Sequence, residues 1–245
     1  MWRHLLSGIQ FLTILPCGPT QPLEARRTLP LFPLCGLVVG TVLLLVDYGA
    51  SLFWQRSVVS VLDVVALAVV SGALHLDGLA DTADGLYGRR SPEKALAIMK
   101  DSRIGAMGMV TVACCLAVKC AGLNELDMHR TSLLLLVPAT ARAGVLFAVH
   151  YLPYGRPEGG TGQVFFQGRP RLQDYWAAAV VLLAALLLAR GSGVLLMVGF
   201  VALTAGVLIY YRLKINCITG DMLGALIEIT EAGLFLILSA MTQPA

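Results

Sequence analysis

Three aspartates, Asp77, Asp81 and Asp84, fall within the stretch HLDGLADTADGLYGRR at residues 75–90. If 75–88 is helical, the spacing i, i+4, i+7 puts all three carboxylates on one face. Like charges this close repel one another, and a hard cation relieves the repulsion. Magnesium takes one or two carboxylates and completes its shell with waters and substrate phosphates. A single aspartate here would read as a solvated helix end. Three on one face, with Gly78 and Gly85 alongside, read as a metal site with room for a bulky ligand near the backbone. His75 reads first as a packing histidine, and second as a group that touches substrate.

A second acidic row lies near the end of the chain. Asp221, Gly224, Glu228 and Glu231 fall on one broad helical face, with Glu231 about 15 Å beyond Asp221 along the axis. Ionisable groups at that depth must face the interior of a bundle or a wet cavity. Arg142 is a natural partner for one of the glutamates. That pairing reads either as a structural ion pair or as part of a substrate site that includes Arg142 and Glu228. Asp221 is better placed for chemistry, and Thr219 just before it can cap the helix.

Cations complete the set. Lys100 and Arg103 bracket Asp101, and an arginine can hold a phosphate with two parallel hydrogen bonds. Arg156 precedes the turn GGTG, whose backbone N–H groups could meet an anion. Lys214 stands before the TGD triplet. Arg169 and Arg171 read simply as loop charge.

These residues need a scaffold, and composition says what kind. The chain has 245 residues, 57% hydrophobic and 13% charged, with a mean hydropathy of +0.77. That is too little charge to cover a soluble domain. Apolar runs near 31–54, 57–77, 104–123, 131–152, 175–190, 192–210 and 221–241 approach the roughly 20 residues a membrane helix needs. The expectation is an all-α, polytopic membrane helix bundle of about seven spans and one domain over 1–245. Residues 1–16 would form an amphipathic helix at the membrane surface, in contact with the lipid bilayer. No Cys-x-x-Cys pair is present, so neither zinc nor disulfides are expected. A net charge of +3 gives no footprint for nucleic acid.

Arginine and lysine alternate along the chain. The odd-numbered flanks hold Arg3, Arg26, Arg27; Arg89, Arg90, Lys94, Lys100, Arg103; Arg156, Arg169, Arg171; and Arg212, Lys214. The even ones hold only Arg56, Arg130 and Arg190. This places the N-terminus in the cytoplasm and the C-terminus outside. Every polar motif then faces the cytoplasm, as suits an enzyme with cytosolic substrates. A cation transporter, the rival from another class, should distribute polar groups along a path through the membrane.

The motifs HLDGLADTADG, MKDSRIGAMG and TGDMLGALIE, with FLTILP near the start, resemble the cobalamin synthase (adenosylcobinamide-GDP ribazoletransferase) family over nearly the whole chain. One departure is INCI at 215–218, where that family usually has a glycine pair. DTADGLYGR at 81–89 is also similar to the signature of CDP-alcohol phosphotransferases, with Gly88 in place of alanine. An enzyme of that second kind is the closest alternative. The resemblance implies Mg²⁺ held by Asp81 and Asp84 with help from Asp77 or Asp101. It implies phosphoryl transfer from adenosylcobinamide-GDP to α-ribazole or its 5′-phosphate, with GMP leaving, at the cytoplasmic (inner) membrane. Asp77, Asp84 and Asp221 are the catalytic candidates, with Asp77 or Asp221 as proton acceptor. His75, Lys100, Arg103, Arg142, Arg156, Lys214, Thr219 and Glu228 are the substrate-binding candidates, and the 153–174 loop could close over the ligand. The reading allows a homo-oligomer.

Overall fold

A computed structural model describes residues 1–156 and 159–242. Pro157 and Glu158, within the glycine-rich segment singled out above, lie outside the described residues. The described chain is helical, with one isolated parallel bridge between Tyr154 and Ile218 and no strand. The helices are α1 (Trp2–Leu12), α2 (Ala25–Thr28), α3 (Phe32–Ser51), α4 (Arg56–Val70), α5 (Leu74–Leu86), α6 (Pro92–Ile98), α7 (Ala106–Glu125), α8 (Arg130–Tyr151), α9 (Trp176–Lys214) and α10 (Gly220–Ser239).

Helix α8 is the axis of the bundle. Nearly its whole length is buried, and it packs against α3, α9 and α10. Small residues let backbones meet there. A Cβ on Gly36 or Gly40 of α3 would overlap the α8 backbone at Pro138–Ala139 and Leu135. Membrane helices commonly associate through such small-residue contacts. Long apolar helices in this number make the chain an integral membrane protein. By length and composition five helical stretches can span a bilayer, or six if α4 and α5 count as one bent span.

The count differs from seven at two places. The run at 57–77 is not one straight helix. Gly72 and Ala73 both adopt left-handed φ, near +58° and +57°, and α5 leaves α4 at 88°. Gly72 takes that conformation without strain, whereas Ala73 does so at a cost of about 1–2 kcal/mol. Ser71 closes α4 by donating to the carbonyls of Leu67 and Ala68. The runs at 175–190 and 192–210 are continuous in α9 apart from Arg190, which has φ 46° and ψ −117°. There the chain folds back on itself. A straight path from Tyr175 to Phe200 would cover about 37 Å, yet both rings pack on Phe147, with centroids at 5.1 and 5.9 Å. Gly193 lies against the backbone of Ala185 and Leu186. Helix α9 is therefore a hairpin of two arms.

The first helix is shorter than the predicted 1–16. Ser7, Gly8, Ile9 and Leu12 are buried against the bundle, while Trp2 is exposed. Gly8 lets it approach Cys35 and Thr28.

Candidate active site

Helices α5 and α10 meet through glycines. A Cβ on Gly78 would strike the Asp221 backbone, and one on Gly224 would press on the His75 backbone. Gly85 admits Met99 and the Ala95 carbonyl at the end of α6. These positions were expected to leave room for a ligand. Protein fills them instead, and close helix approach is their purpose.

That approach brings two acidic rows together. Asp81 lies within electrostatic reach of Asp77, Asp84 and Asp221, and of the Arg156 guanidinium. Asp77 is exposed and Asp81 and Asp221 are half-buried. Thr219 caps α10 by accepting from Met222 N at 3.3 Å, as its position before the helix predicts. Arg156 donates to Asp221 Oδ2 at 2.5 Å and to the Met99 carbonyl at 3.0 Å. It reaches there because the 153–156 segment pairs with the chain entering α10: Gly155 N donates to Ile218 O and Ile218 N to Pro153 O.

Asp84 has a different occupation. Its two oxygens accept from the backbone N–H groups of Gly105 (2.6 Å) and Gly108 (2.9 Å) at the start of α7. A carboxylate fits well at a helix N-terminus, and a Cβ on either glycine would overlap it. The motif DSRIGAMG thus supplies a seat for Asp84.

Asp101 and Arg103 stand apart from this cluster. Arg103 holds Asp101 in a fork, Nη2 to Oδ2 at 2.5 Å and Nε to Oδ1 at 2.9 Å. The hydrogen bonds from Arg103 hold the Asp101 carboxyl down at about 2. The pair is solvated and mutually satisfied, so the structure does not bring Asp101 to the carboxylates as a ligand. Lys100 neighbours this pair at the end of α6. Lys214 donates to the Gly88 carbonyl at 2.9 Å, tying the end of α9 to the loop after α5.

Arg142 and Glu228, expected to touch substrate, are both buried away from solvent. Arg142 donates to Glu231 (3.3 Å) and to the Pro138 carbonyl (2.9 Å). Lys119 of α7 donates to Glu228 (2.7 Å) and Glu231 (2.6 Å). The ion pairs expected for these residues are present. Their desolvated charges are viable only because each finds an opposite charge. Sequence reasoning missed Lys119 as a partner, although a lone lysine in an apolar run was the signal. It also missed a second buried cluster at the far end of the bundle. There Arg130 donates to Asp47 (Nε at 2.9 Å), to Asp63 (2.8 Å) and to the carbonyls of Leu123 and Leu126.

Among the described residues no three His, Cys, Asp or Glu side chains converge tightly enough to hold an ion alone. Asp77 and Asp81, one turn apart, carry no hydrogen bond to their carboxylates among the described residues, and Asp221 keeps Oδ1 available. Two or three oxygen donors at the edge of a cavity fit magnesium, which relies on waters and phosphates for the rest.

The family profile for cobalamin-5-phosphate synthase matches residues 4–239. The chain belongs to that family. Curated relatives match over most of their length. A protein of Roseiflexus sp. (strain RS-1) called adenosylcobinamide-GDP ribazoletransferase is 37% identical over 229 residues, covering 92% of this chain and 85% of the relative. A protein of the same description from Syntrophobacter fumaroxidans is 36% identical, covering 98% of each chain. One from Desulforamulus reducens is 34% identical, covering 97% of each. No solved structure matches.

Proposed function

We infer that the protein is an adenosylcobinamide-GDP ribazoletransferase. It moves the phospho-adenosylcobinamide group onto a ribose hydroxyl of α-ribazole, or of its 5′-phosphate, and releases GMP late in adenosylcobalamin synthesis. The observation that carries this reading is the end-to-end match to relatives of that description, centred on helices that face each other across Asp77, Asp81 and Asp221.

The acceptor oxygen forms a bond to the cobinamide-linked phosphorus as the bond from that phosphorus to the GMP oxygen breaks. Such a transfer asks the protein mainly for alignment and charge neutralisation. Magnesium, when bound, would supply positive charge to offset that of the diphosphate and the departing GMP. Asp77 and Asp81 would hold it, with Asp221 completing the edge. Arg156 neutralises Asp221 and stands where phosphate oxygens arrive. Asp77 offers its second carboxylate oxygen to the hydroxyl proton, whereas Asp221 is clamped by Arg156 and Asp84 by two N–H groups.

The site faces the cytoplasm in this reading. Lys214 bonded to Gly88, and Arg156 bonded to Met99, join three cation-rich segments at one end of the bundle. The cation-poor segments meet at the other end, where Arg56 pairs with Asp127 and Gly191 nears Met241. Counting the two α9 arms separately gives seven passes and agrees with the positive-inside pattern. The enzyme would sit in the cytoplasmic membrane with α1 at its surface.

The cation-transporter reading loses ground, because Glu228 and Glu231 are already neutralised by Lys119 and Arg142. The direct test is purified protein with adenosylcobinamide-GDP, Mg²⁺ and each ribazole form. GMP release is expected, and none from a folded sample would sink the reading.

A further inference from the structure

One buried side chain beside the carboxylates has no protein partner. His75 is 3% exposed, and neither Nδ1 nor Nε2 has a hydrogen bond among the described residues. A neutral imidazole carries one donor and one acceptor, and buried polar atoms are nearly always satisfied. His75 lines a small cavity of about 70 Å³. Asp77 and Asp221 also line it, and its walls include Phe11, Phe32 and Phe165. The Phe165 ring stands edge-on to both other rings, with centroids at 5.2 Å from each. Thr161 and Gly162 cover it, with Gly162 close against Gly220.

We propose that this cavity receives the nitrogen-bearing edge of the flat N-heterocyclic base of the acceptor nucleoside. The His75 imidazole hydrogen-bonds the unsubstituted ring nitrogen, and the ribose hydroxyl is presented to Asp77 and Asp221. This rests on the transferase reading above. The axial spacing agrees. His75 packs on Gly224, three residues deeper along α10 than Asp221, or about 4.5 Å. A ribose bridges such a distance between base and hydroxyl. The aromatic walls suit a π-face or edge contact. Apart from the two carboxylates and the Thr161 hydroxyl, the His75 imidazole is the one polar side chain lining the cavity, which matches a base with a single ring acceptor. The guanine of the donor has a carbonyl, a ring N–H and an amino group on its edge, and these would go unmet there.

The test compares α-ribazole with the riboside in which C–H replaces that ring nitrogen, an indole riboside. Transfer is measured with the full chain in detergent for wild type, His75→Leu, His75→Gln and Phe165→Leu. Wild type is expected to prefer α-ribazole at least about tenfold in kcat/KM. The preference should fall to near one in His75→Leu and partly survive in His75→Gln, whose amide can still donate. Phe165→Leu should raise KM for both ribosides and leave KM for adenosylcobinamide-GDP unchanged, which serves if His75→Leu fails to fold. Equal use of the two ribosides by wild type overturns the proposal, as would a His75 that bonds only water. A rise in donor KM alone overturns it in favour of guanine. If wild type releases no GMP with either riboside, the transferase reading fails, and calorimetric binding of α-ribazole judges the cavity separately. Binding weakened in His75→Gln supports the proposal, and unchanged binding overturns it.

Discussion

Arg156 Nη2 donates to Asp221 Oδ2 at 2.5 Å while the same nitrogen reaches the Met99 carbonyl at 3.0 Å. One guanidinium thus joins the start of α10 to the end of α6, and sets the carboxylate that faces α5. Arg156→Ala is expected to lower kcat/KM for GMP release by about 100-fold, or roughly 2.7 kcal/mol of barrier. Arg156→Lys should recover little, because an ammonium cannot serve both acceptors with the same planar geometry. Steady-state kinetics on both variants checks this, and near-wild-type rates for Arg156→Ala would refute the role.

The three aspartates of α5 should separate by phenotype. Asp81→Asn is expected to abolish transfer, by at least about a thousandfold, with an unchanged thermal midpoint, because its carboxylate has no hydrogen bond to lose among the described residues. Asp84→Asn should also destabilise the fold by about 1–3 kcal/mol, since an amide N–H₂ would confront a backbone N–H donor. Thermal unfolding in detergent beside the GMP assay distinguishes them. Equal midpoints for Asp84→Asn and wild type would show that its seat on α7 is dispensable.

Magnesium dependence follows from the same donors. With two unpartnered carboxylates and no preformed three-ligand cage among the described residues, binding in the absence of substrate should be weak, and tighten when the donor diphosphate is added. Chelation should stop GMP release, and added Mg²⁺ should restore it. Isothermal titration of Mg²⁺ with and without donor measures the coupling. Tight binding to the free protein, retained in Asp81→Asn, would place the ion elsewhere.

Helical spacing was enough to put Asp77, Asp81 and Asp84 on one face, and the polar end of α10 at the same membrane level. Spacing is a local property, and these are local arrangements. The partner of each charge was less legible, because it depends on which helices neighbour one another. Asp84 looks identical to Asp81 in sequence, yet a seat made 21 residues later occupies it. Lys119 and Glu228 are 109 residues apart, and only packing of α7 on α10 joins them. The bend at Gly72–Ala73 and the reversal at Arg190 were hidden for a related reason. Hydropathy sees apolar length, whereas one or two residues of positive φ inside an apolar run leave hydropathy unchanged.

The buried network predicts a charge-balance effect. Lys119→Met strands two glutamates against one arginine and should cost about 3–5 kcal/mol. The pair Lys119→Met with Glu228→Gln leaves Glu231 opposite Arg142, and should cost clearly less than Lys119→Met alone. Glu228→Gln by itself should keep most transfer activity. A double-mutant cycle on unfolding measures the coupling. Additive costs would mean that the lysine and Glu228 do not share a desolvated pair.

The meeting of α5 and α10 depends on a missing side chain. A Cβ on Gly78 would overlap the carbonyl and Cα of Asp221, which are backbone atoms and cannot swing away. Gly78→Ala should therefore push the helices apart, cost about 1–3 kcal/mol of stability, and lower transfer by separating Asp77 and Asp81 from Asp221. Gly49 in α3 is the control: its Cβ would meet nothing within 4 Å. Gly49→Ala should leave activity intact and, by restricting the unfolded chain in a helical position, stabilise by up to about 1 kcal/mol. Parallel thermal and kinetic measurements decide the matter. If both alanines behave alike, close contact between these two helices is not what holds the acidic rows together.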